Sequence, residues 1–509
     1  MSTHRASGIL LHPTSLPGRF GIGDLGPEAR RFADFLALSG QRLWQILPLG
    51  PTGYANSPYQ CLSVFAGNPL LISPETLLDD GFLEPADFEG APPSSGHSVD
   101  HGAVMKFKGP LLQRSLDLFE CRASPGERVE FETFCHENRW WLEAYALFMA
   151  LKEAHGLAAW NTWEEDLQRR APLAIERWSR KLARGIRCHR YQQFQFSRQW
   201  SQVKRYCNDR GIGIIGDIPL FVALDSAEVW AHPQMFHLDA RGRPAVVAGV
   251  PPDYFSRTGQ LWGNPLYRWD LMAGDGYGWW IERFRAMRSR VDIIRLDHFR
   301  GFEKYWEVPG TDKTALNGSW VPGPGAELFD AVRCALGPLP VIAEDLGVIT
   351  PEVEALRDRL GYPGMKVLQF AFGDDPKAGD YQPHNYPRNC VVYTGTHDNN
   401  TTIGWFRGDG SGDTTRSREA RERERRHALA YLGTDGREVN WDFIRLALVS
   451  PAATAIIPLQ DILGLGGEAR MNLPGTTKGN WRWRFTSDMA TGRVRDRLRD
   501  MTALYGRAA

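Results

Sequence analysis

No run in this chain approaches the roughly 18 consecutive apolar residues that a membrane-spanning helix needs, which excludes a helical membrane protein. Charge of either sign is not in surplus, since 60 Lys and Arg stand against 60 Asp and Glu. A chain without a net field does not draw in a polyanion or an anionic bilayer, so nucleic-acid and lipid partners are disfavoured. Cysteine is sparse and unpatterned: Cys61, Cys121, Cys135, Cys188, Cys207, Cys334 and Cys390 are odd in number, scattered and never spaced as a CxxC pair. Neither a disulfide framework nor a zinc site is indicated. The first apolar stretch, Gly8 to Leu11, is too short for the core of a secretion signal, and the expectation is a soluble, reduced, cytoplasmic protein. Internal repeats and low-complexity tracts are also missing, and the charged run Arg416 to Arg426 reads as a solvated helix face.

What is present is a succession of short β-rich runs: Gly8 to Leu11, Leu43 to Leu47, Gly213 to Gly216, Asp292 to Leu296, Val341 to Ala343, Lys366 to Phe370, Val391 to Thr394 and Ala453 to Ile457. Helical patterns precede several of them. Ala29, Phe32, Ala33 and Leu36 mark one buried face between Pro27 and Gly40. Trp200, Val203 and Cys207 repeat that spacing before Gly211, and Val353, Leu356 and Leu360 repeat it between a Thr350 cap with Pro351 and a terminating Gly361. Alternating strands and helices require crossovers, hence parallel strands, and eight of them predict an α/β fold, a (β/α)8 TIM barrel. Between Phe370 and Val391 no helical pattern is found.

The whole chain, 1–509, is expected to form a single catalytic barrel with two large insertions. Residues 50–190 contain amphipathic stretches such as Trp140 to Leu151, and predict a mainly helical subdomain on the barrel rim. Residues 219–277 are rich in Pro, Gly and aromatics with few helical signals, and predict an ordered substrate-covering loop region.

Three runs end in carboxylates: Arg295-Leu296-Asp297-His298, Ile342-Ala343-Glu344-Asp345 and Thr396-His397-Asp398-Asn399. The C-terminal ends of parallel barrel strands are where side chains converge on substrate. A pair of carboxylates on neighbouring strand ends suits glycosidic-bond chemistry, which in its retaining form uses one as nucleophile and the other, protonated, as acid. Asp297, short and held near its strand, is assigned as nucleophile; Glu344, one methylene longer, as general acid/base. Arg295 shares a strand face with Asp297 and supplies a fixed positive charge beside it. Glu344 needs surroundings that raise its pKa. Asp345 points to the other face and reads as structural. Asp398 is expected to stabilise the oxocarbenium-like transition state through the sugar 2- and 3-hydroxyls, with His397 as a further donor. The 18 Trp, 15 Tyr and 25 Phe supply flat faces on which sugar C–H surfaces pack. A lone strand-end Asp is more often a loop or helix cap than a catalyst; the joint pattern carries the reading.

With these residues in view, the sequence resembles the amylomaltases, 4-α-glucanotransferases of the α-amylase clan. The similarity runs from Ser7-Gly8-Ile9-Leu10-Leu11-His12-Pro13-Thr14-Ser15-Leu16-Pro17 to Asn480-Trp481-Arg482-Trp483-Arg484. It includes Ser57-Pro58-Tyr59-Gln60, Gly216-Asp217-Ile218-Pro219, Pro251-Pro252-Asp253-Tyr254-Phe255-Ser256, Gly259-Gln260-Leu261-Trp262-Gly263-Asn264-Pro265 and Pro383-His384-Asn385-Tyr386. The resemblance implies the same roles for Asp297, Glu344 and Asp398. It implies that Asp217, Arg295 and His397 line the donor subsite, that Tyr59, Phe255, Gln260 and Trp262 contact the glucan, and that His298 and Ser57 neighbour the acceptor side. Amylases of the clan carry Asn-His four residues after the equivalent of Asp217; here Phe221-Val222 stand there, a departure typical of the transferases.

The implied partners are α-1,4-glucans and maltooligosaccharides with glucose as acceptor; oligomeric state is left open, a monomer being compatible. No cofactor or metal is required by a carboxylate and a proton, and no Asp/Asn-rich calcium loop is present. Transfer rather than hydrolysis depends on excluding water and orienting the acceptor, for which the aromatic second insertion is suited. An α-1,4-glucan hydrolase on the same site and a non-catalytic carbohydrate-binding protein are the alternatives.

Overall fold

The computed structural model describes residues 5–93, 96–252, 256–408 and 417–508. Its central sheet has eight strands, β1 (Ala6–Leu10), β2 (Leu43–Gln45), β3 (Gly213–Ile218), β4 (Ile293–Leu296), β5 (Val341–Ala343), β6 (Gly364–Val367), β7 (Cys390–Tyr393) and β8 (Thr454–Pro458). They lie in the order β6-β7-β8-β1-β2-β3-β4-β5, and each neighbouring pair is parallel. The strands read as continuous apolar runs because both of their faces are covered, one by helices and one by the packed interior. Cys390-Val391-Val392-Tyr393 is buried throughout, as is all but the first residue of β8. Close approach of strands is felt at Gly8, where an added Cβ would fall 2.4 Å from the Leu43 carbonyl oxygen.

The seam between β5 and β6 is closed by fewer bonds. Ala343 N–H donates to Pro363 O at 2.9 Å. Met365 N–H donates to Asp345 Oδ1 at 2.7 Å, and Arg357 grips the other oxygen of the same carboxylate at 2.5 Å. Asp345 thus completes the barrel wall and faces away from the cleft, a structural role.

Helices Pro27–Leu38, Ala183–Asn208 and Pro351–Leu360 bury the residues their spacing marks, apart from Leu360, which is half-buried. Gly40, Gly211 and Gly361 follow them with φ of +73°, +70° and +69°, a conformation in which a Cβ is strained. Thr350 occupies the cap position of the third helix, but its side chain makes no capping hydrogen bond; Pro351, lacking an N–H, relieves the first turn instead. The crossover from β6 to β7 holds the 3-10 turns Leu368–Phe370, Ala378–Tyr381 and Pro383–Asn385 and no α-helix, matching the missing periodicity after Phe370.

Between β2 and β3 lie helices including His101–Arg122, Pro125–Glu137, Arg139–Ala154 and Pro172–Lys181, and the barrel helix Ala183–Asn208 begins before residue 190. Residues 219–277 differ from the loop expected. They carry the strands Val246–Val250 and Gln260–Pro265, which join Lys304–Pro309 and Ser319–Pro322 in a second, antiparallel four-stranded sheet. The signal is weak in sequence because this hairpin is completed into a sheet by a second hairpin from a different barrel loop, and its own register shifts between Val247 and Gly249.

Among the described residues no helix is long and apolar enough to cross a membrane. All seven cysteines are unpaired.

Candidate active site

The cleft is built at the C-terminal ends of β3, β4, β5 and β7. Register places Asp217 of β3 opposite Arg295 of β4. Arg295 Nη1 donates to Asp217 Oδ2 at 2.5 Å and to Asp297 Oδ1 at 2.9 Å. The side chains of Arg295 and Asp217 are 4% and 1% exposed, whereas that of Asp297 is 26% exposed, so only the last reaches a bound molecule freely. Burial opposes the charge of Arg295, yet the two carboxylates hold its guanidinium well above the ordinary arginine range. Burial raises the Asp217 carboxyl, with Arg295 pulling the other way.

Backbone bonds beyond the strand ends lock the acids together. Asp297 N–H donates to Ile218 O, Glu344 N–H to Leu296 O and Phe299 N–H to Glu344 O, each at 3.0 Å. The Glu344 carboxylate turns back on the same turn, accepting from His298 N–H at 2.6 Å and from Leu346 N–H at 2.9 Å. His298 follows Asp297 directly, so bond lengths alone keep the two carboxyl groups within about 8 Å of each other. This backbone approach needs His298 in the left-handed region, with φ of +51°. Burial pushes the Glu344 carboxyl up to about 8, reinforced by the nearby Asp297 charge and opposed by Arg295. That is the direction a general acid requires.

Asp398, after β7, sits across the cleft with its side chain 47% exposed. Asn472 Nδ2 donates to its Oδ1 at 2.6 Å, and His397 Nε2 lies 3.3 Å from its Oδ2. Against the cost of burial, His397 and Asn472 bring its carboxyl down to about 2. His397 stacks on Tyr59 at 5.1 Å between ring centroids, and the Tyr59 hydroxyl donates to Asp217 Oδ2 at 2.8 Å. The Trp262 ring meets His298 edge-on at 4.7 Å, and Gln260 Oε1 lies 3.4 Å from Trp262 Nε1. Burial lowers His298 to about 4, leaving it neutral near pH 7.

The structure therefore gathers Tyr59, Asp217, Gln260, Trp262, Arg295, Asp297, His298, Glu344, His397 and Asp398 into one continuous set. Ser57 joins only through its Oγ, which accepts Tyr59 N–H at 3.2 Å. Phe255 lies outside the described residues. Residues that sequence reasoning passed over are Asn472, Arg470, which donates to the Asp398 carbonyl at 2.6 Å, and Asn264, which accepts from Gln60 Nε2 at 3.1 Å. Trp481, quoted only within a matching motif, packs on both Tyr59 and His397 at 5.8 Å. Among the described residues no group of three or more His, Cys, Asp or Glu is placed to hold a metal ion.

A parallel eight-stranded barrel presenting three carboxylates, an arginine and stacked aromatics at its strand ends belongs to the class of barrel enzymes that act on glycosidic bonds. The model of the 4-alpha-glucanotransferase family matches residues 11–490, and the chain belongs to that family. It is 52% identical to the 4-alpha-glucanotransferase of Synechocystis sp., covering 100% of this chain and 99% of that one. Its identity to the Thermus thermophilus 4-alpha-glucanotransferase is 50%, over 98% and 99% of the two chains. An amylomaltase from Streptococcus agalactiae, solved in complex with acarbose, superposes with a TM-score of 0.93 at 39% identity, covering 99% of this chain and 100% of that one.

Proposed function

We propose that this 4-α-glucanotransferase carries out transfer by double displacement through Asp297 and Glu344, with Asp398 holding the sugar ring. An Asp297 oxygen attacks the anomeric carbon of an α-1,4-glucan while Glu344 gives its proton to the departing 4-oxygen. The donor is thereby cut, and a glucosyl ester forms on Asp297. Glu344, now a carboxylate, takes the proton from the 4-hydroxyl of an incoming acceptor, glucose or another maltooligosaccharide, whose oxygen displaces Asp297 and restores the α-linkage. Asp398, charged and half open to the cleft, accepts hydrogen bonds from the sugar hydroxyls as positive charge develops at the ring.

The observation that carries this reading is the bond from His298 N–H to Glu344 Oε2, which holds the acid against the peptide that follows the nucleophile. Asp217, Arg295, Tyr59 and His397 line the donor side in this reading, and Gln260, Trp262, His298 and Ser57 the acceptor side. The second sheet presents Trp262 over the cleft, and Asn264 ties it to Gln60 and to Val222 O. Such a cover favours a sugar over water as the second attacker. We place the protein in the cytoplasm, a compartment that suits seven unpaired cysteines.

Incubation with maltotriose alone tests the reading. The expected result is a ladder of longer and shorter maltooligosaccharides that Asp297→Asn abolishes. Reducing ends rising in step with substrate loss would favour the hydrolase, and full turnover by Asp297→Asn would remove the assigned nucleophile.

A further inference from the structure

Asp398 stands on the 396–399 turn, whose internal bonds shape it without anchoring it. Asn399 Oδ1 accepts from Thr396 N–H and Oγ1, both at 2.9 Å, and Asp398 N–H reaches Thr396 Oγ1 at 3.3 Å. Behind the turn is a cavity where the polar groups of Thr396, Asn399, Thr401 and Arg470 meet Leu10 and Leu47, so the turn is not fully packed from behind. The position of Asp398 therefore depends on what reaches it from outside the turn.

Tyr59 and Trp481 pack on His397, and hydrogen bonds to the carbonyl and carboxylate of Asp398 come from the tripeptide Arg470-Met471-Asn472, on the loop after β8. Arg470 Nη2 donates to Asp398 O at 2.6 Å, and Arg470 Nε to Asn472 O at 2.7 Å. Asn472 in turn donates its amide N–H to His397 O at 3.1 Å and its side-chain Nδ2 to Asp398 Oδ1 at 2.6 Å. Two loops more than 70 positions apart are thus joined by three bonds, and a fourth, from the same guanidinium that reaches Asp398, braces the tripeptide internally. We infer that Arg470 is a positioning residue for transfer, using the Nε and Nη2 donors of its guanidinium to hold the backbone carbonyls of Asp398 and Asn472 in register, so that the Asn472 side chain meets the Asp398 carboxylate. A lysine keeps the charge but donates from a single nitrogen on a flexible stem, so it does not reproduce the fixed spacing of Nε and Nη2 that holds the two carbonyls together.

The inference rests on the proposed role of Asp398, and the experiment separates the two. Arg470→Lys is made in the wild-type chain and in Asp398→Ala. Steady-state transfer is measured with maltotriose and with α-maltotriosyl fluoride, whose leaving group needs no proton and keeps slow variants measurable. In the wild-type background kcat should fall on the order of 10- to 100-fold, the scale of a misplaced catalytic group. KM should stay within about twofold, because the ground-state contacts are untouched. In Asp398→Ala the same substitution should cost nothing further, since it acts through the missing side chain. An unchanged kcat, or an equal loss in both backgrounds, overturns the inference. Wild-type turnover by Asp398→Ala itself removes the role of Asp398 first, and that of Arg470 with it. Should Arg470→Lys fail to fold, as read by its thermal midpoint, Asn472→Ala carries the same comparison, because it removes the bond to Oδ1 without touching the arginine.

Discussion

Two buried arginines at opposite ends of the barrel show how one side chain serves different ends. Arg295, at the C-terminal mouth, faces the carboxylates of Asp217 and Asp297. Arg507, at the N-terminal floor, faces backbone carbonyls only, donating to Ala6 O, Leu448 O, Ser450 O, Ala452 O and Ala453 O between 2.7 and 3.2 Å. Burial draws Arg507 down to about 9, whereas the two acids hold Arg295 far above the ordinary range. The floor arginine satisfies chain ends that water cannot reach and closes the barrel. Its counterpart at the mouth gives up such local satisfaction to keep two negative charges together, that of Asp297 the more open to the cleft. The difference is one of partners: neutral dipoles make a lock, and paired charges make a reactive site.

The sharpest break in this comparison comes at the mouth. Asp297→Asn should lower kcat by about 10⁴-fold or more while leaving the chemical-denaturation midpoint near that of the wild type. Glu344→Gln should cost about 10³-fold on maltotriose, within the range that proton transfer contributes, and much less in the first step with a glycosyl fluoride. Because Glu344 acts first as an acid and its carboxyl is raised to about 8, kcat/KM for the donor should fall as pH rises through that value, and Glu344→Gln should erase this limb. Asp398, brought down to about 2, stays charged throughout, so no acid limb near neutrality is expected from it.

Arg295→Lys should reduce kcat on the order of 100-fold, since one ammonium cannot hold both Asp217 and Asp297 in place. The smallest effect on turnover is expected at the floor. Arg507→Met should leave kcat per folded molecule unchanged yet lower stability by about 3 kcal/mol or more, read by denaturant unfolding, because several buried carbonyls lose their donor. An Arg507 variant of normal stability and impaired kcat would erase the contrast between the two ends.

Much of the mouth was legible in the sequence. Parallel strands covered on both faces read as short apolar runs; Asp297 and Glu344 follow such runs directly, and Asp398 lies five residues beyond the end of β7. The order of those runs already predicts that β4 and β5 are neighbours. Other parts were hidden for physical reasons. The second sheet joins two hairpins from different barrel loops, Val246–Val250 with Gln260–Pro265 and Lys304–Pro309 with Ser319–Pro322, and the pairing that unites them has no local signal. The approach of Glu344 to Asp297 passes through the left-handed backbone of His298, which sequence does not announce, since positive φ is uncommon outside glycine even for histidine, one of the residues that takes it more readily. Arg470 and Asn472 lie on a loop without periodicity, and their meaning exists only through contact with the distant Asp398. The 3-10 crossover between β6 and β7 shows the reverse case, where a missing helical pattern correctly signalled a missing helix.

The most direct test of the central claim is to trap the ester. Glu344→Gln incubated with α-maltotriosyl fluoride, then denatured, digested and analysed by mass spectrometry, should carry a maltotriosyl group on the peptide containing Asp297, fragmenting to that residue. A label on another side chain, or a complete absence of adduct while fluoride is released in a burst, would contradict the account.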